Sequence, residues 1–402
     1  MSAPPDAPPP PFDAIWESPA ILLEIPAGAG PWGAFVGGDP PLLALPDAAH
    51  LAQRVNPTEG SAADFGWGPD DRHLRPVAEI DAVKDAVVTR GNRELERVWR
   101  ERAPQAALAV AIVLGVIVFW PKDRETQMLV LLGMIIGWLP LWQRGAERAW
   151  EAWKSLRLIR TDADAWRAQE ARRLRFWSWA PRHKSRAAVV LVGMFVMTHL
   201  VVMWVGLEPA VAKFGLVKSA TRSGEWWRLL TSAFLHGGLI HIAFNSMAGL
   251  SLANLGRGIV DEARLVLVFF VAALFGALAS VAFLPYTSVG ASGGLLGWGG
   301  MLLGLSWRHK GLHGTGLESA LTRWVLLLAA IGLAGAAFID NAAHAGGFIA
   351  GLGLGDWMAR KKDRPLPLWD TPNKTVWSMA IAVGGAAWLW MIWGLVQIKV
   401  GA

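Results

Sequence analysis

Polar and apolar positions divide the chain into two unlike parts. As far as about residue 102 the apolar stretches are short, as in "AILLEI", and proline, glycine and charged residues interrupt them. A charged segment, "IDAVKDAVVTRGNRELERVWRER", closes this part and reads as a helix. Beyond it, apolar runs of roughly bilayer-spanning length recur at 104–120, 127–142, 187–207, 238–255, 265–284, 292–307, 321–338, 343–359 and 376–396. The pattern predicts an all-α polytopic membrane protein preceded by an extramembrane region.

Composition sharpens this. Over half the residues are hydrophobic and only 17% are charged, a balance foreign to soluble domains. Tryptophans stand at the ends of apolar runs (Trp120, Trp142, Trp204, Trp307, Trp357), where the headgroup belt favours them. The chain has no cysteine, so disulfides and thiolate chemistry are excluded. The first residues, "MSAPPDAPPPPF", have neither a basic nor an apolar signal region, so insertion is expected to begin at an internal run. A net charge of +6 is modest, and the basic residues border apolar runs, which speaks for membrane topology and against nucleic-acid binding.

Those basic residues orient the spans. Twelve Lys and Arg residues between Arg144 and Arg186 mark a cytoplasmic segment; the loops with Arg257 and Arg264, with Arg308, Lys310 and Arg323, and with Arg360, Lys361, Lys362 and Arg364 alternate onto the same side. The N-terminal region then comes out cytoplasmic. One loop breaks the rule: 208–236 contains Lys213, Lys218, Arg222 and Arg228 yet falls outside, which is expected if "SGEWWRLLTSAFL" lies in the interface plane.

Polar residues within the spans converge on one depth, and such residues mark function. His241 and Asn245 are four apart in "FLHGGLIHIAFNSMAG", about 40° apart round a helix. Ser292 opens a run that is about 24 Å long as a helix, shorter than the hydrocarbon core, so its N-terminus is expected to start below the outer surface. His344 opens a later run at the same end. Gly347, Gly351 and Gly355 form a stripe on that run, and Gly293, Gly297 and Gly300 or Gly304 form another on the Ser292 run, so the two are expected to pack closely. A serine hydroxyl is a weak nucleophile until a base takes its proton, and imidazole is the usual base near neutral pH. The Ser292 N–H at a helix N-terminus, with the His241 and Asn245 side chains, would supply donors for an oxyanion.

Three motifs together, "EWWRLLTSAFLHGGLIHIAFN", "GASGG" and "DNAAHAGGFIAG", resemble the rhomboid intramembrane serine proteases in order and spacing, over roughly 187–359. The resemblance implies a rhomboid-like six-helix core in which Ser292 is the nucleophile and His344 the general base, with no third acid. His241, Asn245 and the Ser292 backbone would be oxyanion donors. His236, Trp227 and Arg228 would have structural roles, beside the motif glycines Gly290, Gly293, Gly347 and Gly351. Asp340 is read as a helix-capping acid. The resemblance further implies transmembrane protein substrates, cut near the extracytoplasmic surface through an acyl-enzyme, with no metal or cofactor, in a multi-pass protein of the bacterial inner membrane.

The domain reading is an extramembrane region at 1–103, a hairpin at 104–143, a basic linker at 144–186, a six-span core at 187–363 and an additional span at 364–402. Two other classes compete with the protease: a silent rhomboid-like protein that binds or escorts membrane helices, and a haem or metal protein using His236, His241 and His344. The escort would normally have lost Ser292 or His344. The metal protein would need ligands at i,i+3 or i,i+4, whereas His236 and His241 are five apart.

Overall fold

The structure, a computed structural model, describes residues 14–18, 22–35, 42–58, 61–119, 147–335, 339–360, 365–369 and 374–401, with isolated positions between 121 and 145. Most of the predicted run at 127–142 lies outside the described residues, as does the end of that at 321–338.

The N-terminal region holds more than the charged helix foreseen from the sequence. Strands β1 (Trp32–Phe35), β2 (Leu42–Leu45), β3 (Phe65–Trp67) and β4 (Arg75–Pro76) form an antiparallel sheet in the order β2-β1-β3-β4. Strands of two to four residues offer too few positions for alternation to be read. Helix α1 (Ala48–Val55), capped by the Asp47 carboxylate on the His50 N–H at 2.9 Å, buries Leu51 and Val55 in a cluster with Ala34, Val77 and Ile80.

Helix α2 (Lys84–Val118) begins in the charged segment and continues through Pro104 into the first apolar run without a break. Helices α3 (Glu147–Thr161) and α4 (Ala163–Trp179) occupy the basic segment. Several of its arginines serve packing as well as charge. Arg175 is buried and grips Glu79 with two bonds of 2.6 Å, and Arg167 reaches Asp81 at 3.0 Å and the Ala78 carbonyl at 3.1 Å. Such forked guanidinium contacts hold a geometry as well as a charge, and they clamp α4 onto the N-terminal region.

The spans of the membrane part are helices in the described residues, as lipid demands of a backbone with no water to satisfy it. Helix α5 (Arg186–Val205) leads into a loop of short helices, α6 (Leu207–Phe214), α7 (Lys218–Arg222) and α8 (Arg228–Thr231). Then come α9 (Leu239–Arg257), α10 (Glu262–Phe283), α11 (Ser292–Arg308), α12 (Leu317–Ala334), α13 (Asn341–Ala359) and α14 (Lys374–Val400). Among the described residues, Arg186–Val205, Leu239–Arg257, Glu262–Phe283 and Ala380–Val400 are long and apolar enough to cross a membrane. The protein is thus an integral multi-pass membrane protein.

Helix α11 differs from these spans. It has 17 residues, about 25 Å, and is buried along nearly its whole length. Neighbouring helices surround it in place of lipid, so it tolerates glycines that would make a lipid-facing span less apolar. Trp298 on α11 is fully buried and donates to the Leu265 carbonyl at 2.7 Å, tying α11 to α10. Helix α14 packs on α5, with Trp388 Nε1 donating to Thr198 Oγ1 at 3.0 Å.

Candidate active site

Glycine brings the central helices together. Side chains at Gly347, Gly351 and Gly355 of α13 would meet the backbone oxygens of Gly293, Gly297 and Met301 on α11 at 2.1, 2.0 and 2.1 Å. From the other side, a Cβ at Gly300 would meet the Phe348 carbonyl at 2.2 Å. The two helices therefore touch backbone to backbone along their length, a contact that only hydrogen side chains permit.

That contact decides what happens at their N-termini. Ser292 is the first residue of α11 and His344 lies in the first turn of α13; His344 Nε2 and Ser292 Oγ are 2.8 Å apart. Both side chains are half-buried. Ala291 precedes α11 without a side-chain cap, so the first-turn N–H groups, that of Ser292 among them, have no acceptor within the helix and face the site with the positive end of the helix dipole.

Helix α9 supplies the third wall. Gly290, with φ of +133°, passes so close to this helix that a Cβ there would lie 2.9 Å from His241 Nε2 and 3.8 Å from Asn245 Nδ2. Both groups thus face the turn that leads into Ser292. The Gly237 N–H donates to His241 Nδ1 at 3.4 Å, which leaves Nε2, nearer the site, as the protonated nitrogen of the neutral ring. Asn245 is buried and its amide nitrogen has no hydrogen-bond partner. A buried donor left open in this way is costly unless something else arrives to accept from it.

The remaining predicted positions support this arrangement from outside it. His236 is buried, its ring packed 5.2 Å from that of His241 and 5.1 Å from that of Phe195. The Arg228 guanidinium is buried and bonds Glu225, the Gly215 carbonyl and the Ala212 carbonyl at 2.7 to 2.8 Å, closing the C-terminal end of α6. Trp227 is more exposed and packs edge-on against Trp390 of α14. Asp340 caps α13, its carboxylate accepting from the Ala343 N–H at 2.8 Å.

A polar cluster behind the pair was not foreseen. Lys218 of α7 is fully buried; its Nζ donates to Ser288 Oγ at 2.6 Å and lies 3.8 Å from Asp340 Oδ2. Ser280 of α10 donates to the same carboxylate oxygen. In the sequence, Lys218 registered only as an exception to the charge rule, which was the available signal.

A cavity of about 30 Å³ adjoins Ser292, lined also by Ser232, Ser288, Gly290, Asp340 and Ala343; that is room for a water molecule. A larger one, of about 630 Å³, lies far from it, between the N-terminal region and α4. Charges on its walls pair with one another, as in Arg75 with Asp71 and Arg175 with Glu79. Among the described residues, no group of three or more His, Asp or Glu side chains is placed to hold a metal ion.

Fold and site together define a multi-pass membrane protein in which a serine and a histidine from two tightly packed helices share a hydrogen bond inside the helix bundle. Residues 223–361 match the family model of the Rhomboid domain, so this part of the chain is similar to rhomboid-family membrane proteins. It is 34% identical over 144 residues to "Rhomboid protease GluP" of Bacillus subtilis, covering 36% of this chain and 28% of that protein. It is 33% identical over 118 residues to "Putative rhomboid protease YdcA" of the same organism, covering 29% and 56%. With "RHOMBOID-like protein 4" of Arabidopsis thaliana it shares 32% identity over 140 residues, 35% of this chain and 36% of that one. The chain thus spans well under two thirds of the length of these relatives.

Proposed function

We propose that the protein is an intramembrane serine endopeptidase that cleaves transmembrane proteins near the extracytoplasmic surface. The observation that carries this reading is the 2.8 Å contact between Ser292 Oγ and His344 Nε2. In the proposed reaction His344 takes the Ser292 proton as Oγ attacks a substrate carbonyl, then gives it to the leaving amine; water releases the acyl-enzyme by the reverse sequence. The charge on the tetrahedral oxygen falls to the Ser292 N–H, His241 Nε2–H and Asn245 Nδ2, and the open amide of Asn245 supports that assignment.

Six spans within 187–363 form the catalytic core in this reading, 364–402 adds a further span, and the region at 1–103 lies in the cytoplasm of a bacterial cell. The arginine clamp on α4 supports a common side for that region and the basic segment.

A fluorophosphonate tests the reading directly, because it reacts with activated serines. The protein in liposomes is expected to be labelled at Ser292, and labelling is expected to vanish in both Ser292→Ala and His344→Ala. Equal labelling of Ser292→Ala would overturn the assignment. Asn245→Ala is expected to lower turnover of a reconstituted single-span substrate by about 10²–10³-fold, the scale of one oxyanion donor, while the melting temperature stays near that of the parent. Unchanged turnover would remove Asn245 from the mechanism.

A further inference from the structure

Lys218 is a buried cation on an extramembrane loop, and burying an ammonium is unfavourable unless partners compensate it. Its partners are drawn from the two segments that carry the reacting groups. Ser288, which takes its hydrogen bond, lies four residues before Ser292 in the turn leading to α11. Asp340, its counter-ion, caps the helix that carries His344 through the Ala343 N–H. Ser280 bridges the remaining gap, donating to Asp340 and lying 3.4 Å from Ser288 Oγ. The loop around Lys218 is itself pinned to the Ser292 turn: Leu216 and Ser288 exchange backbone bonds of 2.9 and 3.4 Å.

We propose that Lys218 is a positioning residue for the Ser292–His344 pair, its ammonium tying the turn before Ser292 to the cap of the helix carrying His344. The proposal rests on the protease reading of the site. The bonds of Lys218 go to Ser288 and Asp340 and not to Ser292 or His344; it acts by fixing the two backbones whose separation sets the 2.8 Å contact. Helices α11 and α13 are packed on each other and on α10 along their length; Lys218 adds a polar tie at the end of that packing where the reacting groups sit.

The tie depends on pH. Burial pushes the Lys218 ammonium down to about 8, against the pull of Asp340 and with the help of Arg222. Among the described residues, Asp340 and Arg222 are the charged groups that act on it, Ser288 takes its hydrogen bond, and Ser280 bonds Asp340 beside it. Because the value is lowered, the cation is present below about pH 8 and is lost as pH rises through it.

The test is the rate of fluorophosphonate labelling in liposomes from pH 6 to 10, read beside the melting temperature. In the parent, labelling is expected to fall above about pH 8. Lys218→Arg, which stays charged throughout, is expected to label at a comparable rate at pH 7 and to lack the fall. Lys218→Met is expected to label about 10- to 100-fold more slowly, the cost of a misplacement approaching 1 Å. The double variant Lys218→Met/Asp340→Asn removes both charges and keeps the cap acceptor, so it is expected to melt like the parent yet label as slowly as Lys218→Met. Parental labelling by the double variant, or an alkaline fall that persists unchanged in Lys218→Arg, would overturn the proposal and leave the protease reading intact. Labelling that ignores Ser292→Ala would overturn both.

Discussion

Ser292→Ala is expected to abolish cleavage of a single-span substrate in liposomes, with a loss on the order of 10⁶-fold, and His344→Ala is expected to lose about as much. The double variant is expected to be no worse than either. The reason lies in the hydrogen bond between them: a base with no hydroxyl to deprotonate does nothing, and a hydroxyl without its base is a poor nucleophile at neutral pH. Two independent contributors would instead multiply their losses. Mass spectrometry of released fragments provides the readout. If His344→Ala keeps more than about one hundredth of the parental rate, the general base is another group.

Gly351→Ala and Gly353→Ala are expected to diverge although they sit two residues apart on α13. Either change gains about 1 kcal/mol of helix propensity. At Gly353 nothing lies within 4 Å of the added carbon, so the melting temperature is expected to hold or rise slightly. At Gly351 the carbon would sit 2.0 Å from the Gly297 carbonyl oxygen, with backbone and no movable side chain in its path. The helices must separate, and overpacking of this kind costs about 1–3 kcal/mol or more, which outweighs the propensity gain. Since the same helices carry Ser292 and His344, activity is expected to fall further than stability, by about 10²-fold for a 1 Å displacement. Thermal melts and fluorophosphonate labelling of both variants provide the check. A Gly351→Ala protein that melts and labels like the parent would show that this contact does not hold the site together.

Different parts of the molecule were legible in the sequence to different degrees. The apolar runs at 187–207, 238–255 and 265–284 return as α5, α9 and α10 with shifts of a few residues, because the preference of such a run for lipid is a local property. The placement of Ser292 at the first position of α11 was legible too, since a short glycine-rich run cannot start at the surface and still end at the basic "WRHK". The sheet in the N-terminal region was not legible, because pairs such as Gly33 with Trp67 join residues whose strands are too short to show a period. Nor was the role of the arginines on α4, where Arg175 meets a carboxylate 96 positions away. A charge count registers the arginine and says nothing about its partner.

Lys218 illustrates the limit. In the sequence it is a cation in the wrong loop; in the fold it is a buried group shared between Ser288, seventy positions away, and the cap of α13. By itself the sequence determined that the chain enters the membrane and where its long apolar helices fall, because these follow from transfer free energy and helix period along contiguous residues. The glycine stripes foretold that α11 and α13 would approach, but tertiary structure alone decided how closely, that Ser292 and His344, 52 positions apart, come within a hydrogen bond, and that an open amide and an imidazole N–H face the same turn. Those are distances of tenths of an ångström between separate helices, and only close packing of the whole bundle sets them.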